Sequence, residues 1–285
     1  MKFKTIKLNY KATIAILTTM IILLTTLTIT TVRASEDEGT RVIIVMYHSV
    51  LSSRVGEYII SPAQLEADFK YIQERGYETI VMADLIAYVY EGRPLPEKPI
   101  MLTFDDGFYN NLHYVVPLLE KYNMRAVFSL VGVYTDIFSE ADEENINYGH
   151  FRWKDIKAII PTGVVEFQNH SYDLHRIENG QKGAKRRRGE SVEDYRERLG
   201  EDLMKMQRKF QGNTFFTPTT FTYPYGAFSR ETVEIIRDLG FKASLACESG
   251  PNYIVQGDKD GLFGLRRYNR DGRNTTKRFF GKILE

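Results

Sequence analysis

The stretch at residues 100–111, IMLTFDDGFYNN, ends an apolar run with two adjacent aspartates, Asp105 and Asp106. In parallel α/β folds, ligands bind at the carboxyl ends of strands, which is where this pair is expected to lie. An aspartate after a strand often caps the next helix, and capping would account for one of the two carboxylates. Two neighbouring ionised carboxylates repel each other unless a positive charge lies between them. The pair therefore predicts a bound cation.

The ligands of such a cation must come from His, Asp or Glu, because Cys247 is the only cysteine. His170 and His175 follow an apolar run in VVEFQNHSYDLHR. Their spacing places them on opposite sides of a regular strand and about 140° apart on a helix, so a loop must bring them together. Two imidazoles and one carboxylate are typical of a hydrolytic zinc site or of a non-haem iron site.

The chain from Arg41 onward alternates short β-rich runs with helical patterns, which predicts βα units around a largely parallel sheet. Ser61, Pro62 and Gln64 form the signature of a capped helix start. No repeated unit or internal linker is evident, so one domain is expected. The predicted strands are VIIVMYH, IMLTFDD, RAVFSLVG, VVEFQNHS, FTYPYG, ASLACES and LFGLRRY.

The first 34 residues differ in composition from the rest of the chain. Lysines near the amino end precede an uncharged run at residues 12–32, and the small-residue sequence VRAS follows it. This pattern predicts export, with residues 1–34 as a cleaved signal peptide or an uncleaved signal anchor whose amino end stays inside. An ordinary buried helix is the alternative. We expect an extracellular or cell-envelope protein, with membrane contact through this segment if it is retained.

Net charge gives no indication of a nucleic-acid partner, since 38 basic side chains balance 37 acidic ones among the 285 residues. We therefore expect no nucleic-acid binding. Three segments say more about the function of the chain: LTFDDGFYNN, NHSYDLH and YPYG.

These segments resemble the three motifs of the polysaccharide deacetylases, also called the NodB-homology domain or carbohydrate esterase family 4. The spacing in HSYDLH is most similar to the branch that deacetylates poly-N-acetylglucosamine. The resemblance covers residues 42–269 and implies a distorted (β/α) barrel of about seven parallel strands, with one catalytic domain over residues 35–285. It also implies an enzyme that removes N-acetyl groups from an N-acetylglucosamine-containing polysaccharide.

The resemblance also implies a role for each motif residue. Asp106, His170 and His175 would hold one divalent metal ion, zinc being favoured, with an open position for water. Asp105 would be the general base that deprotonates this water. Tyr225 matches the position whose backbone N–H, together with the metal, stabilises the tetrahedral oxyanion.

Two features depart from the family pattern. Thr222 stands where the family usually has an arginine that orients the base. Arg267, in GLRRYN, resembles an arginine of the exopolysaccharide branch and is predicted to pair with Asp105; a surface carboxylate is the alternative partner. No histidine follows His175, so the late histidine that protonates the leaving amine in many members is missing or replaced. His48 ends the first predicted strand and is expected to face the same rim.

Other functions stay open at this level. A de-O-acetylase would use the same metal and base, because ester and amide hydrolysis pass through similar tetrahedral states. A non-catalytic glycan-binding relative would explain the missing late histidine. An iron oxygenase is supported by the ligand types alone.

Overall fold

The computed structural model describes residues 18–21, 39–178 and 180–284. The chain divides into two units, Met1–Thr40 and Arg41–Glu285. In the first, residues 18–21 form an exposed helical turn; apart from these four residues, the predicted signal segment at 1–34 lies outside the described residues. Every helix within the described ranges is too short or too polar to cross a bilayer.

The strands of the second unit form one large, mostly parallel sheet and two small ones. The large sheet has the order β11-β10-β7-β6-β5-β1-β12, with β4 beside β5 and β13 beside β1. The neighbours β11–β10–β7–β6–β5–β1 all pair in parallel. The strands are β1 (Thr40–Tyr47), β2 (Ser49–Val50), β3 (Ile59–Ile60), β4 (Glu78–Ile80), β5 (Pro99–Phe104), β6 (Ala126–Leu130), β7 (Val165–Asn169), β8 (Ile177–Glu178), β9 (Gln181–Lys182), β10 (Thr220–Thr222), β11 (Ala243–Leu245), β12 (Asn252–Ile254) and β13 (Tyr268–Asn269).

Helices follow most strands of the large sheet. The first begins as predicted, because Ser61 Oγ accepts a hydrogen bond from the Gln64 N–H at 3.2 Å and Gln64 Oε1 accepts one from the Ser61 N–H at 3.0 Å. The α-helices are α1 (Pro62–Glu74), α2 (Met82–Glu91), α3 (Val116–Lys121), α4 (Gly132–Ala141), α5 (Trp153–Ile159), α6 (Val192–Thr214), α7 (Thr232–Asp238) and α8 (Thr276–Phe280).

Both faces of the sheet are buried. Along β1, Ile43 and Val45 pack into one hydrophobic cluster, whereas Val42 and Ile44 pack into another on the opposite face. Strands buried on both sides are typical of parallel α/β sheets and explain the continuous apolar runs in the sequence. The predicted distorted (β/α) barrel of about seven parallel strands is confirmed.

Six of the seven predicted runs contain a strand of the large sheet, although in FTYPYG only Phe221 and Thr222 belong to β10; the last run contributes only its final residue. In LFGLRRY only Tyr268 lies in a strand: Gly264 has φ +78° and breaks the extended backbone, and beyond it Leu265 forms an isolated parallel bridge with Leu245. The strands β4 and β12 were not predicted, since three residues are too few to show an alternating pattern.

Candidate active site

The two adjacent aspartates lie in a turn directly after β5. Asp106 and Gly107 both have left-handed backbone conformations, with φ of +69° and +74°. Few residues other than glycine adopt this φ at position 107, and a Cβ there would also lie 2.6 Å from Leu130 Cδ2, which would have to move. The Asp105 N–H donates to the Tyr47 carbonyl at 3.0 Å and thereby continues the β1–β5 pairing to the end of the strands.

The two histidines lie at either end of a tight loop after β7. The His170 N–H donates to the Leu130 carbonyl at 3.0 Å, and Ser171 then reverses the chain with φ +77°. Ser171 Oγ accepts a hydrogen bond from the Leu174 N–H at 3.1 Å. This loop returns His175 to within 5.1 Å of His170, measured between ring centroids, so the two imidazoles converge as the spacing argument requires.

The three expected ligand atoms face one another. Asp106 Oδ1 lies 3.1 Å from His175 Nε2 and 3.5 Å from His170 Nε2, yet it makes no hydrogen bond within the described part of the chain. For a tetrahedral ion with bonds of about 2.0–2.1 Å, neighbouring ligand atoms would lie about 3.4 Å apart. The spacing and the unpaired, buried oxygen therefore fit a divalent metal ion.

The imidazole of His170 is oriented by a backbone carbonyl. His170 Nδ1 lies 2.8 Å from the Thr222 carbonyl at the end of β10. A carbonyl can only accept, so the proton is on Nδ1 and Nε2 is left free for the metal. Thr222, which departs from the family pattern, thus contributes its backbone to the site.

Asp105 is held by a buried arginine. Arg267 Nη1 and Nη2 donate to Asp105 Oδ1 and Oδ2, both at 2.8 Å, and the arginine is fully buried. Arg267 also donates to the Ala246 carbonyl at 2.7 Å and to Thr103 Oγ1 at 3.1 Å. Of the two partners considered for Arg267, the structure therefore shows Asp105 rather than a surface carboxylate.

The charges of the site favour ionised carboxylates. Burial opposes ionisation of Asp105, but the charge and hydrogen bonds of Arg267, together with the imidazoles of His170 and His48, outweigh it and lower the pKa of Asp105. Burial likewise opposes ionisation of Asp106, whose pKa is nevertheless held well below its usual range by the imidazoles of His170 and His175. Both carboxylates are therefore anionic at neutral pH.

A cavity of about 740 Å³ opens over these groups. Tyr225 has φ +59°, and its half-exposed ring lies 4.4 Å from the ring of His175, measured between centroids. His48 lines the cavity as expected; its Nδ1 is buried and has no hydrogen-bond partner in the ranges described above. Burial lowers the pKa of His48.

Part of the cavity wall was missed by the sequence analysis. Tyr58 and Ile177 are exposed by 51% and 66% and lie on this wall, together with Phe108 and Cys247. An isolated aromatic or aliphatic residue in a loop gives no sign in the sequence that it faces a ligand. Their arrangement provides an apolar surface beside the two carboxylates.

The sequence profile described as polysaccharide deacetylase matches residues 92–244, more than half of the chain. The chain belongs to the polysaccharide deacetylase family. The family prediction made from the three motifs is thus confirmed.

Similar proteins agree with this assignment. The chain is 26% identical to the poly-beta-1,6-N-acetyl-D-glucosamine N-deacetylase of Escherichia coli K12 over 226 residues, covering 72% of this chain and 34% of that protein. It is 24% identical over 205 residues to the protein of the same name in Staphylococcus aureus MSSA476, covering 71% and 66%. The chain thus spans about a third of the E. coli relative and about two thirds of the S. aureus one.

A solved structure supports the fold. The de-N-acetylase of Aggregatibacter actinomycetemcomitans superposes with a TM-score of 0.70 at 24% identity, covering 82% of this chain and 96% of that one. The described polysaccharide deacetylase domain is therefore similar in extent to that whole chain.

Proposed function

We propose that this family member is a metal-dependent hydrolase that removes N-acetyl groups from an N-acetylglucosamine-containing polysaccharide. The observation that carries the proposal is the convergence of Asp106, His170 and His175 beside a carboxylate that Arg267 fixes. The names of the E. coli and S. aureus relatives support the substrate class.

Asp106, His170 and His175 would hold one divalent metal ion. Two nitrogen donors and one carboxylate oxygen occur at hydrolytic zinc sites and at non-haem iron sites, and we propose zinc because the reaction is a hydrolysis. When bound, the ion polarises the acetyl carbonyl and lowers the pKa of a water molecule.

Asp105 acts as the general base. Arg267 occupies both carboxylate oxygens from one side and so fixes the plane of the group, while Asp105 also lines the cavity. The lowered pKa keeps Asp105 ionised at neutral pH, and the carboxylate can accept the proton of the attacking water. Arg267 itself holds no transferable proton and serves to orient the base.

The backbone N–H of Tyr225 stabilises the oxyanion. Tyr225 lies in the turn after β10, where it and Gly226 both have left-handed backbone conformations, with φ of +59° and +61°. We assign to the Tyr225 N–H the hydrogen bond to the developing negative charge. The Tyr225 ring packs beside His175 on the cavity wall.

His48 replaces the late histidine of other family members. It lies at the end of β1, faces the cavity and is close enough to Asp105 and Asp106 for their charges to affect its pKa. A neutral imidazole has one acceptor and one donor nitrogen, so His48 can take up the proton that Asp105 removed from the water while it releases its own. We therefore assign to His48 the transfer of a proton to the leaving nitrogen.

The predicted location is part of the proposal. Residues 1–34 would direct export as a signal peptide or signal anchor, and residues 35–285 would act outside the cytoplasmic membrane or in the cell envelope.

Acetate release by the full chain tests this function. The substrates are poly-N-acetylglucosamine, peptidoglycan, chitin oligomers and acetylxylan, each with and without a chelator. We expect acetate and new free amines on a glucosamine polymer, loss of both with chelator, and no activity in Asp106→Ala. Acetate from acetylxylan alone would indicate a de-O-acetylase, and polymer binding without acetate release would indicate a glycan-binding protein.

A further inference from the structure

The loop that carries both imidazoles is held at its middle by one carboxylate of the long helix α6. The Tyr172 N–H donates to Asp202 Oδ1 and the Asp173 N–H donates to Asp202 Oδ2, both at 2.8 Å. Asp202 lies 27 residues beyond His175 in the chain. Neither the ligands nor the predicted base touches it in a hydrogen bond.

We propose that Asp202 is a positioning residue of the metal centre, which sets the place of His175 by fixing the backbone between the two imidazoles. The inference rests on the metal site of the proposed function. It adds to that site a residue from a different element, whose side chain acts on the loop backbone and not on metal or substrate.

The two histidines differ in how they are anchored. His170 directly follows β7, donates its N–H to the Leu130 carbonyl and has its ring fixed by the Thr222 carbonyl. His175 is reached only after the reversal at Ser171, where φ is +77°. Its position therefore depends on the loop, and the two Asp202 contacts act on the residues between the reversal and His175.

The carboxylate is suited to this role. Each oxygen accepts one backbone N–H, and hydrogen bonds to an ionised acceptor are stronger than those between neutral groups. Burial raises the pKa of Asp202 to about 6, so the group is mostly ionised at neutral pH. Loss of one acceptor would leave a backbone N–H of the loop without its partner.

The side chain of Tyr172 has contacts of its own, so Asp202 acts only on the loop backbone. The Tyr172 hydroxyl donates to Asp136 Oδ2 at 2.9 Å, and the Lys205 ammonium lies 3.7 Å from the centre of the Tyr172 ring. The Tyr172 side chain is thus held independently of Asp202. Substitution of Asp202 is therefore expected to displace His175 without detaching the whole loop.

Cobalt substitution tests the inference in the full chain. Co²⁺ is titrated into wild type and Asp202→Asn, and both the dissociation constant and the visible absorption spectrum are recorded. We expect Asp202→Asn to bind Co²⁺ about tenfold more weakly, as is usual when a group that orients a ligand is lost. We also expect an altered spectrum and a kcat that falls more than KM changes.

The control is Glu201→Gln, which makes the same charge change one residue earlier on α6 at an exposed position. It should bind Co²⁺ as wild type does. A second variant, Asp202→Glu, keeps the charge but moves the carboxylate by one methylene and should also weaken Co²⁺ binding; it provides the test if Asp202→Asn does not fold.

The outcomes separate the inference from the proposed function. Wild-type affinity and spectrum in a folded Asp202 variant would overturn the positioning role and leave the metal site intact. Equal weakening in Glu201→Gln would assign the effect to charge and also overturn it. If wild type bound no Co²⁺, both the metal site and the positioning role would fail.

Discussion

Two arginines three residues apart, Arg267 and Arg270, are both buried and both bind a carboxylate through two nitrogens. Arg267 donates to Asp105 at 2.8 Å twice, and Arg270 donates to Asp68 at 2.7 and 3.0 Å. Both arginines lie beside β1, since Tyr268 and Asn269 pair with it.

The surroundings of the two carboxylates differ. Asp68, on α1, also accepts hydrogen bonds from the Tyr47 hydroxyl at 3.3 Å and the Thr276 hydroxyl at 2.6 Å, and it is fully buried. Asp105 lines the 740 Å³ cavity next to Asp106.

The pKa values shift in opposite directions. Burial raises the pKa of Asp68 despite Arg270, whereas the charges around Asp105, with that of Arg267 the largest, overcome burial and lower its pKa. The comparison shows that a buried arginine–carboxylate pair does not by itself indicate a catalytic site. What distinguishes the candidate base is access to a cavity with ligand atoms beside it.

Among changes at the two arginine–carboxylate pairs, Asp105→Asn should give the largest effect on turnover. An amide cannot accept the proton of the attacking water, so kcat should fall by about 10²–10⁴-fold. The measurement is acetate release per folded molecule, with bound metal determined in parallel. Near-normal turnover with metal present would refute the assignment of Asp105 as the base. The Arg267–Asp105 pair would then have no catalytic role to distinguish it from Arg270–Asp68.

Asp68→Asn is the matched change at the other pair. It leaves Arg270 as a buried charge without an ionised partner, which typically costs about 3–5 kcal/mol of stability. Thermal unfolding should show a Tm lower by on the order of 10 °C. Turnover per folded molecule should stay close to wild type; a loss comparable to that of Asp105→Asn would mean that the two pairs are not functionally distinct.

Arg267→Lys should have an intermediate effect. A lysine ammonium is a point charge and cannot donate to both Asp105 oxygens in one plane, so the base would keep a positive neighbour but lose its fixed orientation. We expect kcat to fall about tenfold while metal affinity is retained. An unchanged kcat would show that the charge of Arg267 is sufficient and that its geometry is not used.

Thr276→Val should have the smallest effect. It removes one hydrogen bond to Asp68 and leaves both arginine contacts in place, which should cost about 1 kcal/mol of stability. Denaturant unfolding measures the change, and acetate release should be unaffected. A much larger loss of stability would indicate that Thr276, and not Arg270, is the main partner of Asp68.

The site residues that lie close to a predicted strand in the sequence could be predicted. Asp105, Asp106, His170 and His175 stand at the ends of apolar runs, so both the strand and the reactive side chains are visible within a dozen residues. Arg267 was expected from the resemblance, and it reaches Asp105 from a position directly before β13, 162 residues later in the chain.

Other parts could not be predicted from side-chain patterns. Thr222 acts through its backbone carbonyl, which every residue possesses, and Asp202 reads as one of several acidic residues on an amphipathic helix. Arg270 looks like Arg267 in the sequence, and only tertiary contacts show that it binds Asp68 instead. Roles that depend on long-range packing therefore required the structure.

Backbone geometry limits how this protein can be made more heat-resistant. In the described ranges, left-handed conformations are found at six non-glycine residues; of these, Asp106 and Tyr225 line the cavity, and Ser171 lies in the loop between His170 and His175. Replacing such residues by glycine normally relieves about 1–2 kcal/mol of steric cost, yet at Asp106 it would remove a proposed metal ligand and at Ser171 the hydroxyl that accepts the Leu174 N–H. Phe215 follows the last residue of α6, has the same left-handed conformation and is 78% exposed. Because it lies outside the cavity lining, Phe215→Gly could relieve this steric cost without touching the site.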